Sequence, residues 1–402
     1  MSFCKIIETC HASKGYKLNA YENLDEIAFE WDAVLPQNHH LKSDQLKSIE
    51  RGKPEDVTFR YLFVFKNDKP CGVFYFQILD FNSKHFNSLA LEKPMFFLIR
   101  NFVLKQHLNL LICGNLFRIN FQGFYFKDEK DNCLALDILN DYNKSNPDKT
   151  EFYGILLKDC EQSIDPLMVQ SRRYAPFYDD ITMELNIRNE WKSFDDYTNS
   201  LSRKYLKRAK KIIKSFEGIS TKELSEVEIA EHAKTVVALY LEVAEKQTIR
   251  MGLLNENYFI EMKRFYGEKF SLTGYFKDDE MIGFNSMLFY DNHMEVHYIG
   301  LSYKYNHEHN LYFNILFDGI KQAILKGYKM IELGRTAREA KASAGAIPIE
   351  IHNYIKVKKG LASLAFSFFN KYFNSNVGDE WKSRNPFKEV LVAEAENNQN
   401  DD

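Results

Sequence analysis

Hydrophobic positions recur at helical spacing through residues 195–216. Tyr197, Leu201, Tyr205, Ala209, Ile212, Ile213 and Phe216 line up on one face, which predicts a single amphipathic helix. Its other face carries Arg203, Lys204, Lys207, Arg208, Lys210, Lys211 and Lys214. Further helices are predicted over 226–246 and 257–266. The pattern then becomes β-like: strands at 272–276 and 282–290 flank a polar turn, and a third strand covers 293–301. A polar loop, 302–310, leads into a long helix that Gly327 stops. A short apolar strand at 329–333 runs into Gly334-Arg335-Thr336. Thr336 and Glu339 fit a capping box, Ala337, Ala340 and Ala344 give a small-residue face, and Gly345 ends the helix. Ile349, Ile351, Ile355 and Val357 then alternate with Glu350, His352, Tyr354 and Lys356, the pattern of a half-buried strand.

The first half carries an echo. Phe65-Lys66-Asn67-Asp68-Lys69 is followed by Gly72, and Phe276-Lys277-Asp278-Asp279-Glu280 is followed at the same offset by Gly283. Each segment reads as strand, turn, strand, and each follows a polar helical region. Two related α/β halves are expected, with the boundary near residues 171–189. The division is 1–175 and 176–392, followed by a polar tail, 393–402, expected to be disordered.

Composition narrows the classes. Hydrophobic residues are 45% and charged residues 27% of 402, enough for one or two substantial cores. A net charge of −3 gives no bulk case for DNA binding. The six cysteines all fall in the first half, none in a C-x-x-C pair, and read as buried thiols in a reducing compartment. The start shows no signal-peptide pattern, and the apolar stretch 94–126 is broken by Arg100, Lys105, His107, Asn109 and Arg118. A cytoplasmic location is expected. Residues 361–373, aromatic and preceded by Lys356, Lys358 and Lys359, leave contact with the inner face of a membrane open against the reading of a docked terminal helix.

The stretch 330–358 concentrates the chemistry. An acid, Glu332, sits in an apolar strand beside Arg335, Arg338 and Lys341, and strand ends are where α/β proteins place reactive groups. A carboxylate there costs free energy unless it is paired or used. The structural alternative is an ion pair with Arg335 or Arg338. Arg335 suits a phosphate or carboxylate by bidentate contact, with Lys341 beside it. His307 and His309 have no evident third ligand, so no metal is expected. The cationic face of the predicted helix 195–216 is either a solvated surface or a contact for tRNA or phospholipid.

The order of elements, with the basic helix around 205–211, the hairpin around 278–283 and Leu333-Gly334-Arg335-Thr336 with Lys341 and Gly345-Ala346, resembles the GNAT acyltransferase superfamily. More narrowly, it is similar to the Fem-type branch with two tandem GNAT-like halves and a mixed α/β sheet. The resemblance implies that the fourth and fifth strands of a half splay apart and hold the acyl group between them. The fourth strand here is 293–298. Alternation puts His293, Glu295 and His297 on one face and Met294, Val296 and Tyr298 on the other. Glu332, on the fifth strand, is expected near His297 or Tyr298. GNAT proteins cradle the pyrophosphate of coenzyme A on a glycine-rich loop; here that place holds Tyr303 to Asn310 with no glycine. Acyl carrier protein therefore stands beside acyl-CoA as donor, and aminoacyl-tRNA beside both.

The implied activity is N-acyl transfer from a thioester to an amine, a lipid or cell-envelope amine such as a sphingoid base. Glu332, His297 and Tyr298 are the catalytic candidates, as bases and as proton donor to the leaving group. Arg335, Lys341, Glu295 and Tyr303 are the substrate-binding candidates. The alternatives are a Fem-type aminoacyl-tRNA-dependent peptidyltransferase of peptidoglycan synthesis and a non-catalytic binding protein. The first half shows no G-R-T equivalent after its strand at 152–157, which leaves a degenerate copy open.

Overall fold

Two hairpins with the same irregularities set the architecture. The computed structural model describes residues 8–12, 15–85, 107–145, 150–177, 180–247, 250–359 and 383–388. The strands in chain order are β1 (Glu8–Ala12), β2 (Tyr16–Tyr21), β3 (Val57–Lys66), β4 (Lys69–Phe81), β5 (Leu108–Cys113), β6 (Phe124–Phe126), β7 (Gly154–Cys160) and β8 (Ala175–Pro176). The rest are β9 (Asp180–Asn186), β10 (Ser220–Glu223), β11 (Phe270–Lys277), β12 (Glu280–Phe289), β13 (His293–Leu301), β14 (Met330–Glu332) and β15 (Ile347–Val357). The β3–β4 turn places Asn67 and Asp68 at φ 52° and 59°, and the β11–β12 turn places Asp278 and Asp279 at 48° and 66°. Asn and Asp tolerate this left-handed region, and two such residues in a row match the twist of a tight hairpin. A bulge follows at the same point in each. Val64 pairs with Gly72 and Phe65 with Pro70, leaving Cys71 over; Tyr275 pairs with Gly283 and Phe276 with Met281, leaving Ile282 over. The echo in the sequence is an echo in the backbone.

Each hairpin continues the same way. β5 and β7 are parallel neighbours joined across helix Ala135–Ser145, and β13 and β14 are parallel neighbours joined across helix Leu311–Leu325. The next strands are exchanged. β9 comes after β7 and the two-residue β8 but pairs with β14, while β15 follows β14 and pairs with β7; β9 and β15 meet in the middle. One mixed sheet results, in the order β1-β2-β3-β4-β5-β7-β15-β9-β14-β13-β12-β11-β10, with β6 on β4 and β8 on β15. The central position of β15 corrects the half-buried reading. Tyr354 and Ile355 are both buried, in different cores on opposite faces, whereas Ile347 and Ile349 at its start are exposed.

The halves share a core. Trp31, Tyr61 and Tyr75 from the first pack in one cluster with Tyr240, Tyr258 and Phe284 from the second. Fully buried aromatic and aliphatic side chains of this kind each contribute about 1.5–3 kcal/mol, so the contact between halves is a structural one.

Helix boundaries differ from expectation at three points. Residues 195–216 form two helices, Phe194–Ser200 and Arg203–Lys214, because Leu201 leaves the helix to bridge Phe387 and Ser202 donates to the Pro386 carbonyl. Residues 226–246 likewise split at His232 into Glu226–Glu231 and Ala233–Ala244. The Thr336 capping box does not form: Ala337, at φ 51°, is the N-cap of helix Arg338–Ser343, with no side-chain cap. The expected aromatic segment 361–373 and the tail 393–402 lie outside the described residues. No helix among those described is long and apolar enough to cross a membrane.

Candidate active site

β13 and β14 pair at His293–Met330, Met294–Ile331 and Glu295–Glu332. There they part. β13 runs on to Leu301, while the other chain turns away through Gly334 at φ 82°. Register neighbours on adjacent strands present their side chains on one face. Glu295 and Glu332 are such neighbours, and Glu184 on β9 is the partner of Glu332 on its other side. Three carboxyl groups therefore form a row across three strands at the fork.

The row is not uniform. Glu332 is 3% exposed and accepts a hydrogen bond of 2.7 Å from Thr182 Oγ1. Burial first, and the neighbouring Glu295 charge second, push its carboxyl up to about 8. Glu295 is equally buried, and burial also pushes it up. Arg118 and then His297 act against this more strongly, so its carboxyl ends below the usual range. Burial alone raises Glu184. Adjacent acids whose environments drive them apart suit an acid and base pair: the surroundings favour the anion at Glu295 and the protonated acid at Glu332.

Arg118 comes from the other half. Its Nη2 lies 2.8 Å from Glu295 Oε2 and also contacts the Tyr290 hydroxyl, and Nη1 reaches Tyr266 at 3.4 Å. Arg118 and Glu295 are both buried. Lys341, on the inner side of its short helix, is 3% exposed. Burial pulls its ammonium down to about 7, against the nearby Glu332 charge, which raises it.

His297 is the extra residue of a bulge, since Ser286 pairs with Tyr298 and Met287 with Val296. Its Nδ1 faces Glu295 at 3.3 Å and its Nε2 faces the Tyr258 hydroxyl at 2.9 Å. Burial holds the ring neutral, so Nδ1–H donates to the Glu295 carboxylate and Nε2 accepts from Tyr258. The bulge also corrects the expected alternation. Tyr298 turns into the same aromatic layer as His297, edge-on to Tyr258, Phe259 and Tyr240, and its hydroxyl donates to the Phe117 carbonyl at 3.2 Å. Glu332, expected beside His297 or Tyr298, has Glu295 as its neighbour in register.

The remaining candidates sit apart. Arg335 reaches Asp159 at 2.7 Å, tying the G-R-T turn to the end of β7. Tyr303 is 41% exposed and stacks under Lys246. The loop expected around it is a helix, Tyr303–His309, and its leading amide donates to Glu242 at 2.9 Å. The place where a phosphate would meet a free helix start thus holds one of the chain's own carboxylates. His309 bonds to Ser215 and Lys277. Among the described residues no cluster of His, Cys, Asp or Glu is arranged for a metal.

No protein-family model matches the sequence, and no curated protein matches it. Solved structures do match. A tandem GNAT protein from the clavulanic acid biosynthesis pathway, solved without AcCoA, aligns at a TM-score of 0.51 and 10% identity, over 85% of this chain and 99% of its own. The chain has the tandem GNAT fold. FemX aligns at 0.49 and 14% identity, covering 85% of this chain and 98% of its own. The C-terminal domain of a putative lysylphosphatidylglycerol synthetase from Agrobacterium fabrum aligns at 0.47 and 10%, covering 87% and 96%. Arg118, Tyr258, Thr182 and Glu184 contact the candidate cluster, and sequence reasoning missed them. Arg118 had shown itself only as a charge interrupting an apolar stretch, and nothing local pairs it with Glu295.

Proposed function

We propose that this tandem GNAT protein is an N-acyltransferase, with residues 176–392 as its catalytic half and Glu332 as its general base. The observation that carries the proposal is a buried carboxyl, held near 8, at the point where β13 and β14 separate. An amine must lose a proton to attack a thioester carbonyl, and a base matched to neutral pH does this best. The amine nitrogen forms the new C–N bond, its proton passes to Glu332, the C–S bond breaks, and the thiolate leaves. Tyr298, on the neighbouring strand β13, gives its phenolic proton to the leaving sulfur and regains one as the proton on Glu332 returns through solvent. Glu295, held as an anion by the Arg118 ion pair and the hydrogen bond from His297, supplies the field that keeps Glu332 basic. Lys341 and Glu184 bracket Glu332 and orient the amine.

The donor is an acyl thioester, as acyl-CoA or acyl carrier protein, and the acceptor is a lipid or envelope amine such as a sphingoid base. The carboxylate of Glu242 on the Tyr303 amide favours a donor not held by its diphosphate at that place. It therefore keeps the Fem-type alternative, with aminoacyl-tRNA as donor, as a second reading. The test is release of free thiol from acyl-CoA and from acyl carrier protein across a panel of amines. Thiol release that depends on one amine class is expected; none with any donor and amine contradicts the proposal. Aminoacyl transfer abolished by charge reversal at Lys207, Lys210 and Lys211 would select the second reading.

A further inference from the structure

One open groove lies away from the carboxylate row. It encloses about 440 Å³ on the outer side of helix Arg338–Ser343, between that helix, the basic helix Arg203–Lys214 and the start of helix Leu311–Leu325. Lys204, Arg208 and Arg384 bring three cations to it, Tyr205 and Phe313 bring aromatic rings, and Glu339 brings the one acid. The volume is that of a small-molecule site.

The charge on this wall is not explained by the fold. The basic helix has seven cations in 12 residues and no acid. Lys204 and Arg208, and Lys207 and Lys211, are like-charged neighbours at four-residue spacing, which destabilises a helix. Elsewhere the protein pairs its surface cations, as Arg264 with Glu226 and Arg172 with Asp137. Among the described residues Lys204 and Arg208 have no carboxylate within ion-pair distance. Arg208 lies with its guanidinium carbon 4.7 Å from the centre of the Phe313 ring, both lining the groove. Arg384 is the one groove cation with a carboxylate, Glu339. A planar guanidinium held over an aromatic ring, with a lysine one turn away, suits a phosphate oxygen cluster joined to an apolar or ring-bearing group.

We propose that this groove binds a phosphate ester, with Arg208 and Lys204 on the phosphate and Tyr205 and Phe313 against the attached group. The proposal stands apart from acyl transfer, because its readout is binding. Its place in the fold gives it a consequence. Glu339, Ala340 and Ser343 face the groove, whereas Lys341 on the same helix is buried beside Glu332. An occupied groove bears directly on the element that sets Lys341.

A phosphate ester can arrive in solution or as a lipid headgroup, and two probes separate these. AMP is titrated calorimetrically, and phosphatidylglycerol vesicles are co-sedimented against phosphatidylcholine vesicles. Saturable binding of either probe is expected, weakened about tenfold or more in Lys204→Glu/Arg208→Glu. It should stay within about twofold in Lys207→Glu/Lys210→Glu, which removes equal charge outside the groove lining. AMP binding assigns a soluble ligand, and phosphatidylglycerol binding alone assigns a headgroup. If the double reversal does not fold by its circular dichroism melt, Arg208→Gln replaces it. Absence of binding to both probes, or equal weakening in the two charge-reversed proteins, overturns the proposal.

Discussion

The two halves can be compared strand for strand at one spot. In the second half β12 pairs with an uninterrupted β13, from Gly283–Leu301 to Ser286–Tyr298, then past the bulged His297 from Met287–Val296 onward. In the first half β4 pairs with β6 from Gly72–Phe126 to Phe74–Phe124, then with β5 from Phe76–Cys113 onward. Where the second half inserts one residue, the first inserts a whole excursion, residues 114–123. That excursion carries Arg118 to Glu295, the Phe117 carbonyl to Tyr298, and Ile119 towards Gly334. The strand beside it, β7, supplies Gly154 to Leu157 where β14 supplies Met330 to Glu332, so the first half has no acid row. The same backbone has been kept for two purposes: one half bears the carboxyl groups, and the other completes their electrostatics.

The largest predicted effect comes from removing that completion. Arg118→Met strands the buried Glu295 carboxylate and should cost about 3–5 kcal/mol in denaturant unfolding. A loss below about 1 kcal/mol would mean that the excursion is decoration and the halves are electrostatically separate.

Next is the pH dependence of stability. Glu332 is raised to about 8 from 4.5, so the folded state binds the extra proton between those values, and its contribution falls as pH rises from about 4.5 to 8. Lys341 is lowered to about 7 from 10.5, so the unfolded state binds the extra proton between 7 and 10.5, and its contribution rises across that window. Each limb has a slope of at most about 1.4 kcal/mol per pH unit. Glu332→Gln should remove the falling limb and Lys341→Met the rising one. Unfolding curves across pH that keep both limbs in both variants would place the titrating groups elsewhere.

The smallest effect tests the other contact of the excursion. Tyr298→Phe loses the hydrogen bond to the Phe117 carbonyl and should cost about 1 kcal/mol. Protection of amides 114–123 from hydrogen exchange should drop with it; unchanged protection would show that Tyr298 does not hold the excursion.

Much of this was legible beforehand, for local reasons. The twin hairpins announced themselves through Asn-Asp and Asp-Asp turns and the following glycine, because a tight turn is specified by its own residues. Glu332 stood out because an acid in an apolar strand is costly wherever that strand lies. What failed was set at long range. The helix break at Leu201 depends on Phe387, and the missing Thr336 cap depends on how the chain turns out of β14 into the other half's strands. Arg118 meets Glu295 across 177 positions. Glu184 joins the row only because β9, which comes soon after β7 in the chain, pairs with the distant β14, which no periodicity encodes. The bulge at His297 reverses an alternation argument that assumes an unbroken strand.

The central claim is that Glu332 takes the proton of the attacking amine. Its most direct test is the pH–rate profile of thiol release by the wild-type protein and by Glu332→Gln, with the amine and donor that the panel identifies. The account predicts a wild-type rate that rises with an apparent pKa near 8, and in the variant a rate lower by about 10²–10⁴ with that limb gone. A Glu332→Gln protein that keeps both the wild-type rate and the wild-type profile would contradict it.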